Sequence, residues 1–294
     1  MTTHDLPAAF SHASPVPITM ACDRLLVFGG PYSNLAATKA MLAQAARLGF
    51  SAEEILCTGD VIAYCGEPAE TLDLIAASGI QVIMGNCEQA LAANKDDCGC
   101  GFDAGTQCEV LSVQWFNFAS GQVNQDQRRW MAGLPRQVFV EIGGRKLLAT
   151  HAGAASINEF IFASSSAENK LAQMVAANVD GMITGHSGIA FAQVLSSRLW
   201  LNAGAIGIPA NDGTARVWYA ILEEKHGAVD VQIRSLSYDP SPSIKTMNER
   251  GLASGYRDSL STGLWPSLDV LPQTETAQAG IALDEAKFKW SRDK

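Results

Sequence analysis

Asp60, Asn86, His151 and His186 each close a short apolar run. Ile55-Leu56-Cys57-Thr58-Gly59 leads to Asp60, Val82-Ile83-Met84-Gly85 to Asn86, Leu147-Leu148-Ala149-Thr150 to His151, and Met182-Ile183-Thr184-Gly185 to His186. A carboxylate, an amide carbonyl and two imidazoles form an oxygen and nitrogen donor set suited to a first-row divalent metal. Each motif has a plainer reading taken singly. Gly59-Asp60 makes an ordinary turn, Asn86 a helix cap, and either histidine a satisfied loop residue. Taken together, in a chain with five histidines, they favour metal or phosphate chemistry.

For these four to meet, the runs before them must be strands of one layered fold. Short runs of this kind, bounded by Gly or a polar residue, read as buried strands. Ligands of layered α/β folds gather beyond the carboxyl ends of such strands. A further run, Leu25–Phe28, ends at Gly29-Gly30. Leu35–Leu48 reads as a helix capped by Asn34 and stopped by Gly49, and Pro68–Ala77 as another. The first half therefore alternates strand and helix, which implies parallel crossovers. The second half pairs Gln137–Ile142 with Lys146–Thr150, Ala190–Ser196 with Arg198–Asn202, and Val217–Glu223 with Ala228–Ser235 as hairpins. Two packed mixed sheets with helices outside follow. Residues 1–22, which hold His4 and His12, read as a flexible arm, residues 23–236 as the body, and residues 237–294 as an extension that packs back on it.

Composition narrows the function classes. A formal charge of −9 with no basic stripe argues against a nucleic-acid duplex as partner. No apolar run reaches the length of a membrane span, and the first twenty residues lack the pattern of a signal peptide. A cytoplasmic location is expected, and with it seven cysteines that are free thiols or metal ligands rather than disulfides. Cys87, Cys98, Cys100 and Cys108 could form a thiolate metal site, against the plainer reading of free thiols. The turn Gly30-Pro31-Tyr32-Ser33-Asn34 could cradle an anion on its amides with the Tyr32 hydroxyl alongside, or could simply start a helix.

The four strand-end residues, with Asn202-Ala203-Gly204-Ala205-Ile206-Gly207-Ile208-Pro209 further on, resemble the calcineurin-like metallophosphoesterases, in particular their bacterial diadenosine-tetraphosphatase-like branch. The likeness runs from about Arg24 to about Glu223. It implies a four-layer αββα sandwich of two mixed β-sheets holding two metal ions, with Asp60 bridging and Asn86, His151 and His186 completing the second position. The family's Asp-x-His at the first strand end is Gly30-Pro31-Tyr32 here, and the last histidine of its Gly-His-x-His is Gly188. All three losses fall on the first metal. Cys87 stands where a histidine commonly protonates the leaving group.

The expectation is a metal-dependent phosphoesterase with a single ion of Mn, Fe or Zn, acting on a small phosphorylated molecule, either a phosphodiester or a nucleotide polyphosphate. Two alternatives stand beside it. One is a catalytically inactive binding protein of the same fold, and the other a cysteine-assisted metal centre with different chemistry.

Overall fold

Along the strand Arg24–Phe28, Leu25 and Val27 face one way and Leu26 and Phe28 the other, and all four are fully buried. A strand alternates its side chains between two faces, so this one must be covered on both. Leu25 and Val27 join a core with Val138, Val140, Leu147, Ile183 and Trp218, while Leu26 and Phe28 join a second core with Met41, Leu72, Leu91 and Trp115. A third core gathers Leu148, Met182 and Trp200 with Met174. Three cores imply four layers: helices, sheet, sheet, helix.

The computed structural model describes residues 18–103, 105–252 and 254–291. In chain order the strands are β1 (Ile18–Ala21), β2 (Arg24–Phe28), β3 (Ile55–Cys57), β4 (Gln81–Val82), β5 (Gln137–Ile142), β6 (Arg145–Thr150), β7 (Gly181–Thr184), β8 (Phe191–Leu195), β9 (Arg198–Asn202), β10 (Val217–Lys225), β11 (Ala228–Leu236) and β12 (Ala286–Trp290). The helices are α1 (Leu35–Arg47), α2 (Pro68–Ser78), α3 (Asn86–Ala92), α4 (Gln107–Gln122), α5 (Gln125–Ala132), α6 (Ala167–Ala176), α7 (Ser241–Glu249), α8 (Ser254–Thr262) and α9 (Gln273–Ala277). One sheet has the order β1-β5-β6-β7-β9-β8 and the other β12-β11-β10-β2-β3-β4. Strands β2, β3 and β4 are mutually parallel, as are β6, β7 and β9, so each sheet presents a row of carboxyl ends. The three expected hairpins form as antiparallel pairs. The fold is thus the α/β sandwich of two mixed sheets.

Two boundaries differ from the sequence reading. The arm ends earlier than residue 22, because Ile18–Ala21 pairs in parallel with β5 as an edge strand. Residues 1–17, including His4 and His12, lie outside the described residues. The extension from residue 237 does more than pack on the surface, because β12 adds to β11 in antiparallel register. Ala-Lys-Phe-Lys-Trp alternates charge with aromatic bulk, which suits an exposed edge, its Phe and Trp favouring a strand and its Ala and lysines not. Trp290, at its end, enters the inter-sheet core, donates from Nε1 to the Ser197 carbonyl at 2.8 Å, and lies under the Arg145 guanidinium. If β12 belongs to the fold, Trp290→Ala should cost about 3–5 kcal/mol in denaturant unfolding. A loosely appended tail would give a change within about 0.5 kcal/mol.

Candidate metal centre

Asp60 follows β3, Asn86 opens α3 after β4, His151 follows β6, and His186 follows β7. One sheet supplies the first pair and the other sheet the second, so the site sits on the seam between them. His151 is its hub. Its Nε2 lies 3.2 Å from Asp60 Oδ2, 3.0 Å from Asn86 Oδ1 and 3.2 Å from His186 Nδ1. Its Nδ1 is 2.6 Å from the Thr58 carbonyl across the seam. A carbonyl only accepts, so Nδ1 carries the hydrogen and neutral His151 turns a lone pair inward from Nε2. Asn86 is oriented likewise, because its Nδ2 donates to the Cys98 carbonyl at 2.9 Å and leaves Oδ1 facing His151.

Three acceptor atoms and His186 Nδ1 therefore converge, and a cation resolves that crowding. His186 Nε2 is buried without a hydrogen-bond partner among the described residues, so no contact fixes its tautomer as Thr58 fixes that of His151. Ligands about 2.0–2.1 Å from a tetrahedral ion sit about 3.3 Å from one another. The contacts to His151 Nε2 are close to that spacing, and the ligand atoms of Asp60, His151 and His186 all fall within 4.8 Å of one another. The residues fit a divalent ion. Without an ion, a proton on His151 Nε2 paired with Asp60 takes that place. Burial alone would raise Asp60, but the charge and hydrogen bond of His151 hold its carboxyl below the usual range. Burial alone would lower His151, but Asp60 holds it above its ordinary value. Burial, then the charge of His151, pushes His186 down to about 3. His186 is also flanked by the Phe160 ring, centroids 4.3 Å apart.

The local backbone is bent to serve this geometry. Asp60 (φ 55°) and His186 (φ 59°) both adopt the left-handed conformation, which costs an L-residue energy and persists where the surroundings enforce it. Glu88 is the enforcing group at Asp60. Fully buried, its carboxylate accepts from the backbone N–H of Asp60 at 2.8 Å, Gly85 at 2.9 Å and Ile62 at 3.2 Å. Burial and the charge of Asp60 push it up to about 7. Gly85 is confined to glycine here, since a Cβ there would lie 2.3 Å from Asp60 Oδ1. Beside His186, Asn202 Nδ2 donates to the Gly185 carbonyl at 2.7 Å and to Ser187 Oγ at 2.9 Å. The sequence reading missed the supporting roles of Glu88, Asn202 and Phe160. Only Glu88 left a signal, as the third helical residue after a Gly cap, where a carboxylate reaches back to the cap.

The turn after β2 does something different from what its sequence promised. The N–H groups of Gly30, Tyr32, Ser33 and Asn34 each donate to a backbone carbonyl, those of Gly59, Asp60, Val61 and Pro31 respectively. No amide of these four is left for an anion. Asn34 is wholly structural: Oδ1 accepts from Ala37 N–H and Ser243 Oγ, and Nδ2 donates to the Gly207 carbonyl and the Tyr238 hydroxyl. Tyr32 folds back over Gly30 so closely that a Cβ at residue 30 would lie 2.3 Å from its ring. A Cβ at Gly188 would stand 3.8 Å from the Tyr32 hydroxyl and 3.4 Å from the Trp265 ring. Tyr32 packs edge-on against Tyr64, which stacks on Tyr256. An aromatic wedge thus fills the space toward which side chains from positions 30 and 188 would project.

The cysteines also depart from expectation. Cys98 and Cys100 form a disulfide with each other, so they are not thiolates available to a metal as the chain stands. Cys87 is a buried free thiol that hydrogen-bonds with Asp60 and touches Asn86. Cys108 lines a cavity of about 50 Å³ beside His186, together with Tyr32, Phe160, Tyr256 and Trp265.

Residues 28–227 match the calcineurin-like phosphoesterase superfamily domain. An uncharacterized protein of Methanocaldococcus jannaschii is 22% identical over 229 residues, covering 72% of this chain and 87% of that one. A metallophosphoesterase crystal structure from Sphaerobacter thermophilus superposes with a TM-score of 0.64 at 20% identity, covering 82% of this chain and 99% of the other. A hypothetical protein of Pyrococcus horikoshii OT3 superposes with a TM-score of 0.67 at 15% identity, covering 83% and 99%. These structural likenesses concern the fold.

Two substitutions separate ligation from support. Asp60→Gly should abolish Mn²⁺ binding in titration calorimetry, yet hold thermal stability in EDTA close to that of the wild type, since glycine tolerates the left-handed backbone. Glu88→Ala should instead destabilise the fold by roughly 2–4 kcal/mol, because three buried N–H groups lose their acceptor.

Proposed function

We propose, on the premise that the chain belongs to the calcineurin-like phosphoesterase superfamily, that it is a metal-dependent phosphoesterase with an altered, single-metal centre. Asp60, Asn86, His151 and His186 would hold the ion, of Mn, Fe or Zn. The observation that carries this reading is the contrast between two neighbouring places. Four donor atoms converge at one, and at the other Gly30 and Gly188 offer no side chain and Tyr32 fills the space.

When bound, the ion supplies Lewis acidity toward a phosphoryl oxygen. The residues around it do the rest. Asp60 contributes the one negative charge among the four donors. The Thr58 carbonyl fixes the His151 tautomer, and Phe160 shields one face of His186. Tyr32, its hydroxyl pushed well up by burial, stays a neutral hydrogen-bond donor on the substrate side.

The substrate we propose is a small phosphorylated molecule, and the charge balance favours a phosphodiester over a nucleotide polyphosphate. One divalent ion and one ligating carboxylate leave the ligand shell itself near +1, which matches a singly charged diester, and the buried Glu88 behind Asp60 can only lower that balance. Among the described residues lining the cavity beside His186 there is no Lys or Arg to balance further phosphates, and the pocket lined by His151 holds one, Arg136. A nucleic-acid duplex and a membrane lie outside this reading, and a cytoplasmic location is part of it. No described helix is long and apolar enough to cross a membrane.

One observation supports a second reading, a non-catalytic binding protein of the same fold. Tyr256, Trp265, Pro266, Ser267 and Val270, all from the extension, wall the small cavity beside His186. Full-length protein loaded with Mn²⁺, assayed on bis-p-nitrophenyl phosphate and p-nitrophenyl phosphate, decides between the two. The enzyme reading expects one ion per chain, preference for the diester, and loss of both ion and turnover in Asp60→Ala. One bound ion with no turnover of either ester would establish the binding protein instead.

A further inference from the structure

We infer that the Cys98–Cys100 disulfide is a redox-active group that sets metal affinity through Asn86. This deepens the preceding proposal and rests on Asn86 being a ligand. Nδ2 of Asn86 donates to the Cys98 carbonyl at 2.9 Å and to Cys100 Sγ at 3.3 Å, with Cys87 Sγ at 3.5 Å. Both strong constraints on the amide thus come from the two halves of one disulfide loop. They hold Oδ1 toward His151 Nε2. The same loop reaches the other side of the centre. Asn158 Nδ2 donates to the Gly99 carbonyl at 3.0 Å, and the Cys100 carbonyl lies close enough to the His186 ring to act on its charge.

As a structural staple this crosslink is nearly idle. It encloses only Gly99, so it removes little chain entropy from the unfolded state. Its placement against a candidate ligand is what distinguishes it. Disulfides in reducing compartments are characteristically transient and catalytic or redox-sensing. Gly99 gives the loop an open outer side, since a Cβ there would meet nothing within 4 Å, and its neighbours Asp96 and Asp97 are exposed. Cys98 and Cys100 themselves are only 4% exposed, so exchange begins with outward displacement of this loop.

The chemistry is thiol–disulfide exchange with a dithiol. One reductant thiolate attacks a protein sulfur, the Cys98–Cys100 bond breaks, and a mixed disulfide forms. The second reductant thiol then displaces the protein sulfur. The protein gains two electrons and two protons as two thiols, and the reductant leaves as its own disulfide. Two thiol sulfurs cannot remain at bonded distance, so the loop must open. The Cys98 carbonyl and Cys100 Sγ then no longer clamp Asn86, and its Oδ1 loses its fixed aim. Outer partners that orient ligands typically govern metal affinity by about 10–100-fold.

The test uses full-length protein in two states: oxidised, and reduced with dithiothreitol that is then removed by anaerobic gel filtration. Free thiols are counted in denaturant, and Mn²⁺ affinity is measured by electron paramagnetic resonance. Mn²⁺ is chosen because thiolates compete poorly for it. The thiol count should rise from five to seven, and Mn²⁺ affinity should fall about 10–100-fold. Cys98→Ser and Cys100→Ser should each show the weak affinity with or without dithiothreitol. Seven thiols in the oxidised preparation, or equal affinity in both states, would overturn the inference. Asn86→Ala tells that failure from failure of the underlying reading. If it binds Mn²⁺ as tightly as the wild type, Asn86 is not a ligand; if it binds weakly while redox state has no effect, only the switch is lost.

Discussion

The contact from His151 Nδ1 to the Thr58 carbonyl crosses from one sheet to the other, and the rest of the site depends on it. It fixes which nitrogen of His151 bears hydrogen, and so turns Nε2 into a lone pair at the seam. The sheets can be brought this close only where their rims are narrow. Gly29 and Gly185 sit on either side of Thr58, where a Cβ on either would come within 2.6 Å of its Oγ1. The backbone bond from Gly185 N–H to the His151 carbonyl then ties β6 and β7 together beyond their last strand residues. Position, tautomer and seam are one constraint. A site that drew all its ligands from one sheet would not need it.

Packing beside the same seam links positions 30, 32 and 188. Tyr32 in the left-handed region, with its ring over residue 30, is compatible only with glycine there. Restoring an acid at position 30 would require Tyr32 to leave, and Tyr32 is held by Tyr64, which in turn packs on Tyr256 and Trp115. Gly188 is accommodated by Trp265, whose indole donates to the Pro209 carbonyl. The substituted positions therefore depend on one another through packing. At position 30 a side chain would collide with the Tyr32 ring, whereas at position 188 a Cβ would reach only ordinary contact with Trp265 and Tyr32.

Much of this was legible in the chain. Runs such as Leu25–Phe28 and Met182–Thr184 are apolar without interruption because both of their faces are covered, and their ends mark where ligands emerge. Asn34 and Gly49 bounded the first helix correctly, and Gln137–Ile142 paired with the following run as the expected hairpin. What stayed hidden depends on distance rather than type. The sequence shows Tyr at position 32 but not that its ring lies over residue 30, so a free-amide cradle and a filled wedge looked alike. Strand β12 was overlooked because Lys287 and Lys289 dilute its pattern, with Trp290 alone fully buried and Phe288 half-buried against the core. The pairing of Cys98 with Cys100 was unexpected because the spacing alone fits a thiol pair, a ligand pair or a disulfide equally well.

The extension beyond residue 236 changes how the centre should be regarded. Strand β12 closes one edge of a sheet, α7 locks onto the Asn34 turn through Ser243, and the segment from Tyr256 to Val270 forms a wall of the cavity beside His186. Ser243 Oγ donates to Asn34 Oδ1, the same oxygen that caps α1, so the extension grips the turn that carries Tyr32. The aromatic wedge and the wall of that cavity are both contacted by a segment that lies beyond residues 28–227, the span matched to the family's domain.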